Sequence, residues 1–243
     1  MVSSYNVLEA QAGRNPWKSG GRYPVVALDI DGTLGDYHTH FLWFAERWLG
    51  MSMPSATKLN PGKRLSDFMG IPHELYQQCK LAYRQGGLKR WMPCYPYASQ
   101  LTGKIREAGA QVWICTTRPY LRLDNIDPDT REWLRRNKIE YDAVIFESIL
   151  GDGSGMTKYQ DLISQVGTDR IVAAIDDLPE QVEDAINRGI RKVYIRDQPY
   201  NRENPDGYAL VPAAVSRVES LMDLWWGGKL ALDIENWKDR NNG

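Results

Sequence analysis

The chain has few cysteines and no long apolar stretch. Among its 243 residues only Cys79, Cys94 and Cys115 are cysteines, and their spacings form no CxxC pair. An odd number without paired spacing argues against a disulfide framework and against a zinc site. No apolar run approaches the roughly 18 residues that a membrane-spanning helix needs, and the N-terminus lacks a basic-then-apolar signal pattern. We therefore expect a soluble, cytoplasmic protein with no membrane partner.

An excess of charge of one sign is also absent. The 30 Lys and Arg residues balance 31 Asp and Glu residues, which gives a formal net charge of -1. A protein that binds a long nucleic-acid backbone usually carries a basic excess. Extended nucleic acid is therefore not an expected partner, whereas a small acidic substrate is compatible with local positive charge.

A short apolar run near the N-terminus ends in two carboxylates. Residues 25–28 are apolar, and Asp29, Ile30, Asp31 and Gly32 follow them. Such a run is typical of a buried parallel strand, and open α/β sheets carry their chemistry at the carboxyl ends of strands. Because strand side chains alternate, Asp29 and Asp31 are expected to point the same way and to need a cation or a shared proton. A plain Asp-Gly turn is the alternative interpretation.

The rest of the chain alternates between apolar segments and helical patterns, which favours an α/β fold with a Rossmann-like, doubly wound parallel sheet of five strands. Beyond the first strand, strands are predicted at 111–115, 143–146, 170–175 and 192–195. Helices are predicted at 98–108, 127–137, 158–166, 179–188 and 213–226, and the chain is expected to fray from Lys238.

The segment between the first two strands is too long for a single crossover helix. Helices are predicted there at 40–49 and 72–85, with a loop at 54–64. We expect a small helical cap, which would exclude water from a site at the sheet edge. The predicted organisation is a lead-in at 1–23, a core at 24–35 and 93–230, a cap at 36–92, and a C-terminal tail at 231–243.

Two further motifs follow the predicted second and third strands. Thr116, Thr117 and Arg118 come directly after the second strand, where a hydroxyl beside free backbone amides suits a phosphoryl oxygen. A threonine that satisfies a turn is the simpler alternative. Lys158 follows a glycine-rich loop and begins a helix, where its charge opposes the helix dipole. The loop lacks the Gly-Lys-Ser/Thr ending of a P-loop.

A second pair of acids, Asp176 and Asp177, ends the fourth predicted strand. Parallel strands bring this pair to the same edge as Asp29 and Asp31. Four carboxylates together are costly unless a cation lies between them, and a set of oxygen ligands favours Mg²⁺. A helix N-cap at Asp177 is a compatible alternative.

These four motifs, in this order, resemble those of the haloacid dehalogenase (HAD) superfamily, over residues 24–197. The resemblance implies the HAD fold and an Mg²⁺-dependent phosphomonoesterase. Asp29 would be the nucleophile that forms an aspartyl-phosphate, and Asp31 the general acid and base. The metal would be held by Asp29, the backbone carbonyl of Asp31 and Asp176, with Asp177 assisting.

The same resemblance implies which residues contact the phosphoryl group. Thr116 and Lys158 would stabilise its charge, and Thr117, Arg118 and Gly32 are the further candidates for contact with phosphate or substrate. Dehalogenation is disfavoured, because dehalogenases of the superfamily lack the second aspartate of the first motif.

The layout is most similar to the 5'(3')-deoxyribonucleotidase group, which implies a nucleoside monophosphate substrate. Its base would stack on a cap aromatic, for which the candidates are Tyr37, Phe41, Trp43, Phe44, Trp48 and Trp91. His38 and His40 are expected to be solvated.

Two alternatives stay open. The pair Arg118-Pro119 departs from the nucleotidases and resembles the phosphatase domain of polynucleotide kinases, so a 3'-phosphorylated nucleic-acid end is the second candidate substrate. A basic track of Lys58, Lys63, Arg64, Lys89 and Arg90 near the site would favour it. The third candidate is a non-catalytic binding module of HAD fold, although no motif residue is missing. The sequence does not indicate an oligomeric state.

Overall fold

Six parallel strands form one sheet in the computed structural model, which describes residues 23–119, 125–147, 155–202, 212 and 215–241. The strands are β1 (Val25–Leu28), β2 (Gln111–Pro119), β3 (Ala143–Glu147), β4 (Ile171–Asp176), β5 (Val193–Arg196) and β6 (Ser216–Val218). Their order across the sheet is β3-β2-β1-β4-β5-β6, and every neighbouring pair is parallel. The α/β fold with a doubly wound parallel sheet is therefore confirmed.

The central strand β1 is where the chain reverses its direction of travel across the sheet. β2 and β3 lie on one side of β1, and β4, β5 and β6 lie on the other. A switch point of this kind opens a crevice beyond the carboxyl ends of the strands. The first acidic motif follows β1, so the topology places it at the mouth of that crevice.

Helices cover both faces of the sheet. Val26 and Leu28 belong to one buried apolar cluster, whereas Val25 and Ala27 belong to a second one. The alternation of strand side chains thus sends neighbouring residues of β1 into two separate cores. This double burial explains why β1 reads as an uninterrupted apolar run.

The insertion between β1 and β2 is helical, as predicted. It contains α1 (Tyr37–Leu49), α2 (Leu65–Met69), α3 (His73–Gln85) and the 3-10 helices Ala56–Lys58 and Leu88–Trp91. Asp36 caps α1 by accepting a hydrogen bond from the Thr39 amide, and Gly50 ends that helix in the left-handed conformation. The short helix α2 was not predicted. We refer to residues 37–91 as the cap.

The remaining helices are α4 (Ala98–Glu107), α5 (Ile126–Arg136), α6 (Lys158–Val166), α7 (Pro179–Asn187), α8 (Asp223–Trp226) and α9 (Lys229–Asn241), with 3-10 helices at Thr168–Arg170 and Pro199–Asn201. No described helix is both long and apolar enough to cross a membrane. All three cysteines are free. The domain limits given above stay predictions, and residues 1–22 of the lead-in lie outside the described ones.

The prediction of a helix at 213–226 is wrong. Positions 216–218 form the edge strand β6, only Asp223–Trp226 is helical, and residues 213–214 lie outside the described ones. β6 pairs with β5 from Tyr194 opposite Ser216 to Arg196 opposite Val218. A strand of three residues is too short to show alternation in the sequence, so pairing with β5 decides its conformation.

The expected fraying from Lys238 is also wrong, because α9 continues to Asn241. Leu230, Ile234 and Trp237 are buried in a stripe with helical spacing. The indole of Trp237 also donates a hydrogen bond of 2.5 Å to the carbonyl of Asp169. These contacts hold the last turns of α9 against the rest of the protein.

Candidate active site

Three buried carboxylates meet at the carboxyl ends of β1 and β4. Asp29 follows β1, Asp176 is the last residue of β4, and Asp177 follows it. One ligand oxygen from each lies within 4.8 Å of the other two. The parallel register pairs Leu28 with Ile175, so the residues that follow them come together at the same edge. We call these three residues the carboxylate cluster.

Lys158, the first residue of α6, reaches into the carboxylate cluster. Its Nζ lies 2.7 Å from Asp29 Oδ1 and 2.6 Å from Asp176 Oδ2, and its side chain is fully buried. Tyr159 donates a hydrogen bond of 2.7 Å to the same oxygen of Asp176. Two carboxylates therefore hold the lysine whose charge opposes the helix dipole.

One ammonium group does not neutralise three buried carboxylates. Burial, together with the charge of Asp176, raises the pKa of Asp29 to about 7 against the opposing charge of Lys158. Burial, together with the charges of Asp29 and Asp176, also holds the pKa of Asp177 well above its usual range. Burial would lower the pKa of Lys158, but Asp176 and Asp29 outweigh burial and raise it. A divalent cation with a preference for oxygen ligands fits this excess of negative charge.

Donors from distant parts of the chain orient Asp177. Its Oδ1 accepts a hydrogen bond of 3.0 Å from Thr33, and its Oδ2 accepts one of 2.5 Å from the hydroxyl of Tyr200. Asn201 donates to the carbonyl of Asp177 at 2.7 Å. Tyr200 and Asn201 carry no motif in the sequence, and neither was predicted as a site residue.

Gly32 makes room for these contacts. Its φ is +97°, in the left-handed region that favours glycine, and a Cβ there would lie 2.2 Å from Asp177 Oδ2 and 2.4 Å from Tyr200 Oη. Its carbonyl accepts a hydrogen bond of 2.6 Å from Gln198. The structure therefore places Gly32 against the side chain of Asp177.

The side chain of Asp31 has different partners from those of the carboxylate cluster. Arg118 donates from Nε to Oδ2 at 2.9 Å and from one terminal nitrogen to Oδ1 at 2.6 Å, and Lys89 Nζ lies 2.5 Å from Oδ2. Burial would raise the pKa of Asp31, but the charges of Arg118 and Lys89 outweigh burial and hold it well below its usual range. Asp31 is thus an ion-paired carboxylate in this structure.

Lys89 brings a cap residue into the site. It lies in the 3-10 helix Leu88–Trp91, is almost fully buried, and places its Nζ 4.0 Å from the centre of the Tyr37 ring. Burial lowers the pKa of Lys89 to about 7. Its neighbour Arg90 is bound to Asp129 at 2.5 Å. Two members of the predicted basic track are therefore engaged in internal ion pairs.

The second motif lies at the end of β2. Thr116 is buried, and its hydroxyl oxygen accepts a hydrogen bond of 3.2 Å from the Arg118 amide. Arg118 also donates to the Thr130 hydroxyl at 2.8 Å. Thr117 is less buried and faces a cavity between the cap and the sheet edge.

This cavity has a volume of about 160 Å³. The cap contributes Tyr37, His38, Lys80, Arg84 and Lys89 to its lining. The core contributes Asp31, Thr117, Arg118, Ile126, Asp177 and Leu178. Of the six aromatic residues considered for base stacking, only Tyr37 lines the cavity.

The expectation that His38 and His40 are solvated is wrong. The ring of His38 packs against Tyr200 with its centre 4.4 Å away, and His40 Nδ1 lies 2.7 Å from the Tyr83 hydroxyl. Burial lowers the pKa of His38 to about 4. His38 is therefore neutral near pH 7 and forms a contact between the cap and the core.

Comparisons with known proteins show similarity of fold. No family model matches this chain, and no curated protein matches it. Protein tyrosine kinase A of Mycobacterium tuberculosis has a TM-score of 0.59 at 17% identity, over 85% of this chain and 99% of that one. A predicted phosphoglycolate phosphatase from Haemophilus somnus has a TM-score of 0.58 at 13% identity, over 86% of this chain and 100% of that one.

A HAD family hydrolase from Deinococcus radiodurans, solved with bound phosphate and sodium, has a TM-score of 0.56 at 13% identity, over 87% of this chain and 97% of that one. At such low identities the similarity establishes the architecture and not the chemistry. The chain has the Rossmann-like fold found in HAD hydrolases.

Proposed function

We propose that this protein is an Mg²⁺-dependent phosphomonoesterase that uses Asp29 as its nucleophile. The observation that carries the proposal is the position of Asp29 at the switch point, inside a buried carboxylate cluster and 2.7 Å from the Lys158 ammonium. The fold supports the same class, because one structural neighbour is a predicted phosphatase and another is a hydrolase with bound phosphate.

In the first half-reaction, an oxygen of Asp29 attacks the phosphorus and the bond from phosphorus to the ester oxygen breaks. The leaving oxygen takes up a proton, and Asp29 becomes an aspartyl-phosphate. In the second half-reaction, water attacks this phosphorus, gives up a proton to a base, and releases inorganic phosphate with Asp29 regenerated. Lys158 and the Thr116 hydroxyl are the proposed donors to the phosphoryl oxygens.

Asp29, Asp176 and Asp177 would hold Mg²⁺, and the backbone carbonyl of Asp31 is a further proposed ligand. When bound, the ion supplies positive charge that stabilises the phosphoryl oxygens. Tyr200 and Thr33 keep Asp177 oriented for this role through the hydrogen bonds described above.

Asp31 is the proposed acid and base, and its ion pairs bear on each half of that role. As an ion-paired carboxylate it can accept a proton from water, but it carries no proton to donate. The acid half of the role therefore requires Lys89 and Arg118 to be drawn away from Asp31 when substrate binds.

The proposed substrate is a small phosphorylated molecule. A nucleoside monophosphate as the substrate stays a prediction. Lys89 covers one face of the Tyr37 ring, so the base would need a different aromatic surface for stacking. A phosphorylated nucleic-acid end has weaker support, because Lys89 and Arg90 pair with internal carboxylates. The cytoplasmic location also stays a prediction.

The proposal is tested by phosphate release from p-nitrophenyl phosphate and a panel of sugar phosphates, nucleoside monophosphates and a 3'-phosphorylated oligonucleotide. We expect turnover with Mg²⁺, none with EDTA, and a loss of about 10⁴-fold or more in Asp29→Asn. Asp142→Asn is the matched control. Asp142 directly precedes β3 and accepts a hydrogen bond from the Val112 amide, so it lies at the end of the strands opposite to the carboxylate cluster. Near-normal turnover by Asp29→Asn would contradict the proposal, and so would a wild-type protein that hydrolyses none of these esters.

A further inference from the structure

Tyr200 is in contact with both the cap and the carboxylate cluster. Its hydroxyl donates the hydrogen bond of 2.5 Å to Asp177 Oδ2, and its ring centre lies 4.4 Å from that of His38, at an interplanar angle of 50°. His38 belongs to the first turn of α1 in the cap, whereas Tyr200 lies in the 3-10 helix Pro199–Asn201 that follows β5. One side chain therefore connects a cap helix with a carboxylate proposed to bind Mg²⁺.

The core holds the backbone that carries Tyr200. Asn201 is fully buried, and its side-chain nitrogen donates to the carbonyls of Asp177 and Arg196, each at 2.7 Å. On the other side of Tyr200, the Gln198 amide donates to the side-chain oxygen of Asn201 at 3.1 Å. Because these bonds fix the backbone before and after Tyr200, the freedom that remains to this residue is rotation of its side chain.

Two contacts limit that rotation. Asp177 holds the hydroxyl of Tyr200, and the imidazole of His38 packs against its ring. A tyrosine side chain rotates about only two torsion angles, and its ring and hydroxyl move as one rigid unit. Removal of the His38 ring therefore gives the Tyr200 hydroxyl room to move away from Asp177.

His38 acts on its surroundings through packing rather than through charge. Its ring contacts in the described part of the chain are with Tyr37 and Tyr200, and no described residue forms a hydrogen bond or an ion pair with it. Burial lowers the pKa of His38 to about 4, so the imidazole is uncharged near pH 7. The connection from His38 to Asp177 that the structure offers is therefore the ring of Tyr200.

We propose that His38 is a positioning residue of the metal site: by packing against Tyr200 it keeps the Tyr200 hydroxyl on Asp177 and thereby raises the affinity for Mg²⁺. This inference rests on the proposed function, which makes Asp177 a ligand of the ion. Residues that orient metal ligands typically contribute about 10–100-fold to metal affinity. The cap thus contributes to metal binding without providing a ligand.

The test measures the Kd for Mg²⁺ by calorimetry, without substrate, in single and double variants. We expect the Kd to rise about tenfold in Tyr200→Phe, which lacks the donor, and about fivefold in His38→Ala, which only loosens the ring. In the double variant the Kd should rise only about tenfold, because the hydroxyl through which His38 acts is already absent. A rise of about 50-fold in the double variant would overturn the proposal, since it would show that the two residues act independently.

Two further variants separate this role from a general effect on the cap. His38→Phe should leave the Kd close to its wild-type value, because it keeps an aromatic ring against Tyr200. His40→Ala is the matched control: His40 is a half-buried histidine of the same helix, and its ring contacts, Tyr83 and Trp43, belong to the cap. An unchanged Kd in His38→Ala would overturn the proposal, and so would an equal rise in His40→Ala. If His38→Ala does not fold, His38→Asn, which also lacks the ring, replaces it in these comparisons.

Failure of this inference and failure of the proposed function give different results. A protein that hydrolyses no ester, but whose Kd for Mg²⁺ rises in His38→Ala, would refute the proposed function and support the inference. A protein that hydrolyses p-nitrophenyl phosphate with Mg²⁺, but whose Kd stays the same in His38→Ala, would support the function and overturn the inference. Absence of Mg²⁺ binding by the wild-type protein would overturn both.

Discussion

Replacement of Gly32 by alanine is expected to lower the free energy of unfolding by about 2–5 kcal/mol. The left-handed backbone conformation costs a residue with a Cβ about 1–2 kcal/mol. The new Cβ would also lie 2.2 Å from Asp177 Oδ2 and 2.4 Å from Tyr200 Oη, so at least one of these side chains must move. Loss of their hydrogen bond leaves a buried polar group unpaired and costs about 1–3 kcal/mol more.

Gly70→Ala is the matched control for the backbone part of this cost. Gly70 ends α2 with a φ of +68°, and none of the described residues has an atom within 4 Å of a Cβ built there. Its replacement should therefore cost only about 1–2 kcal/mol. The difference between the two variants measures the close approach of Gly32 to Asp177 and Tyr200.

Urea denaturation of both variants in EDTA measures these free energies, and unchanged m-values would show that the denatured states are comparable. Titration with Mg²⁺ adds a second readout, because displacement of Asp177 should weaken metal binding in Gly32→Ala but not in Gly70→Ala. The reasoning is refuted if the two variants lose the same stability, within about 0.5 kcal/mol.

Two further predictions concern the carboxylate cluster. In the metal-free protein, the free energy of unfolding should fall by up to roughly 4 kcal/mol as the pH rises from 4 to 7. The reason is that the pKa of Asp29 rises from 3.8 in the unfolded chain to about 7 on folding, so folding disfavours the ionised form of Asp29. Thermal unfolding in EDTA measures this effect, and a pH dependence that Asp29→Asn leaves unchanged would contradict it. Tyr200→Phe should raise the Kd for Mg²⁺ by about tenfold, because Asp177 loses the donor that orients it. Calorimetry measures the Kd. Tyr194→Phe is the control, because the Tyr194 hydroxyl contacts Asp233 instead of Asp177. An equal Kd in both variants would show that the Tyr200 hydroxyl does not contribute to Mg²⁺ binding.

The parts of the fold that the sequence predicted are those that local patterns specify. β1 and β4 are short apolar runs because both their faces are buried, and each ends in acids at the sheet edge. The helix after each strand shows its own spacing and caps, such as Pro179 at the start of α7. The alternation of strands with helices favours parallel strands joined by crossover helices, which is why a doubly wound sheet was predictable.

Elements that depend on a distant partner were missed. β6 is a strand because it pairs with β5, and the last turns of α9 are helical because Trp237 is buried against the rest of the protein. β6 carries no local signal that distinguishes it from a loop or from part of a longer helix. The apolar residues of α9 do have helical spacing, but the sequence does not show that its last turns are held by burial of Trp237. The helix predicted at 213–226 was wrong for this reason.

For the candidate site, the sequence by itself determined that acids, hydroxyls and a lysine come to one edge of the sheet, because each of them directly follows an apolar strand or begins the next helix. Only the tertiary structure decided which of these groups pair. Lys89 binds Asp31 from 58 positions away, and Thr33 reaches Asp177 across 144 positions. A single sequence does not indicate which residues so far apart along the chain will pair, because packing of the cap and the loops against the sheet brings them together.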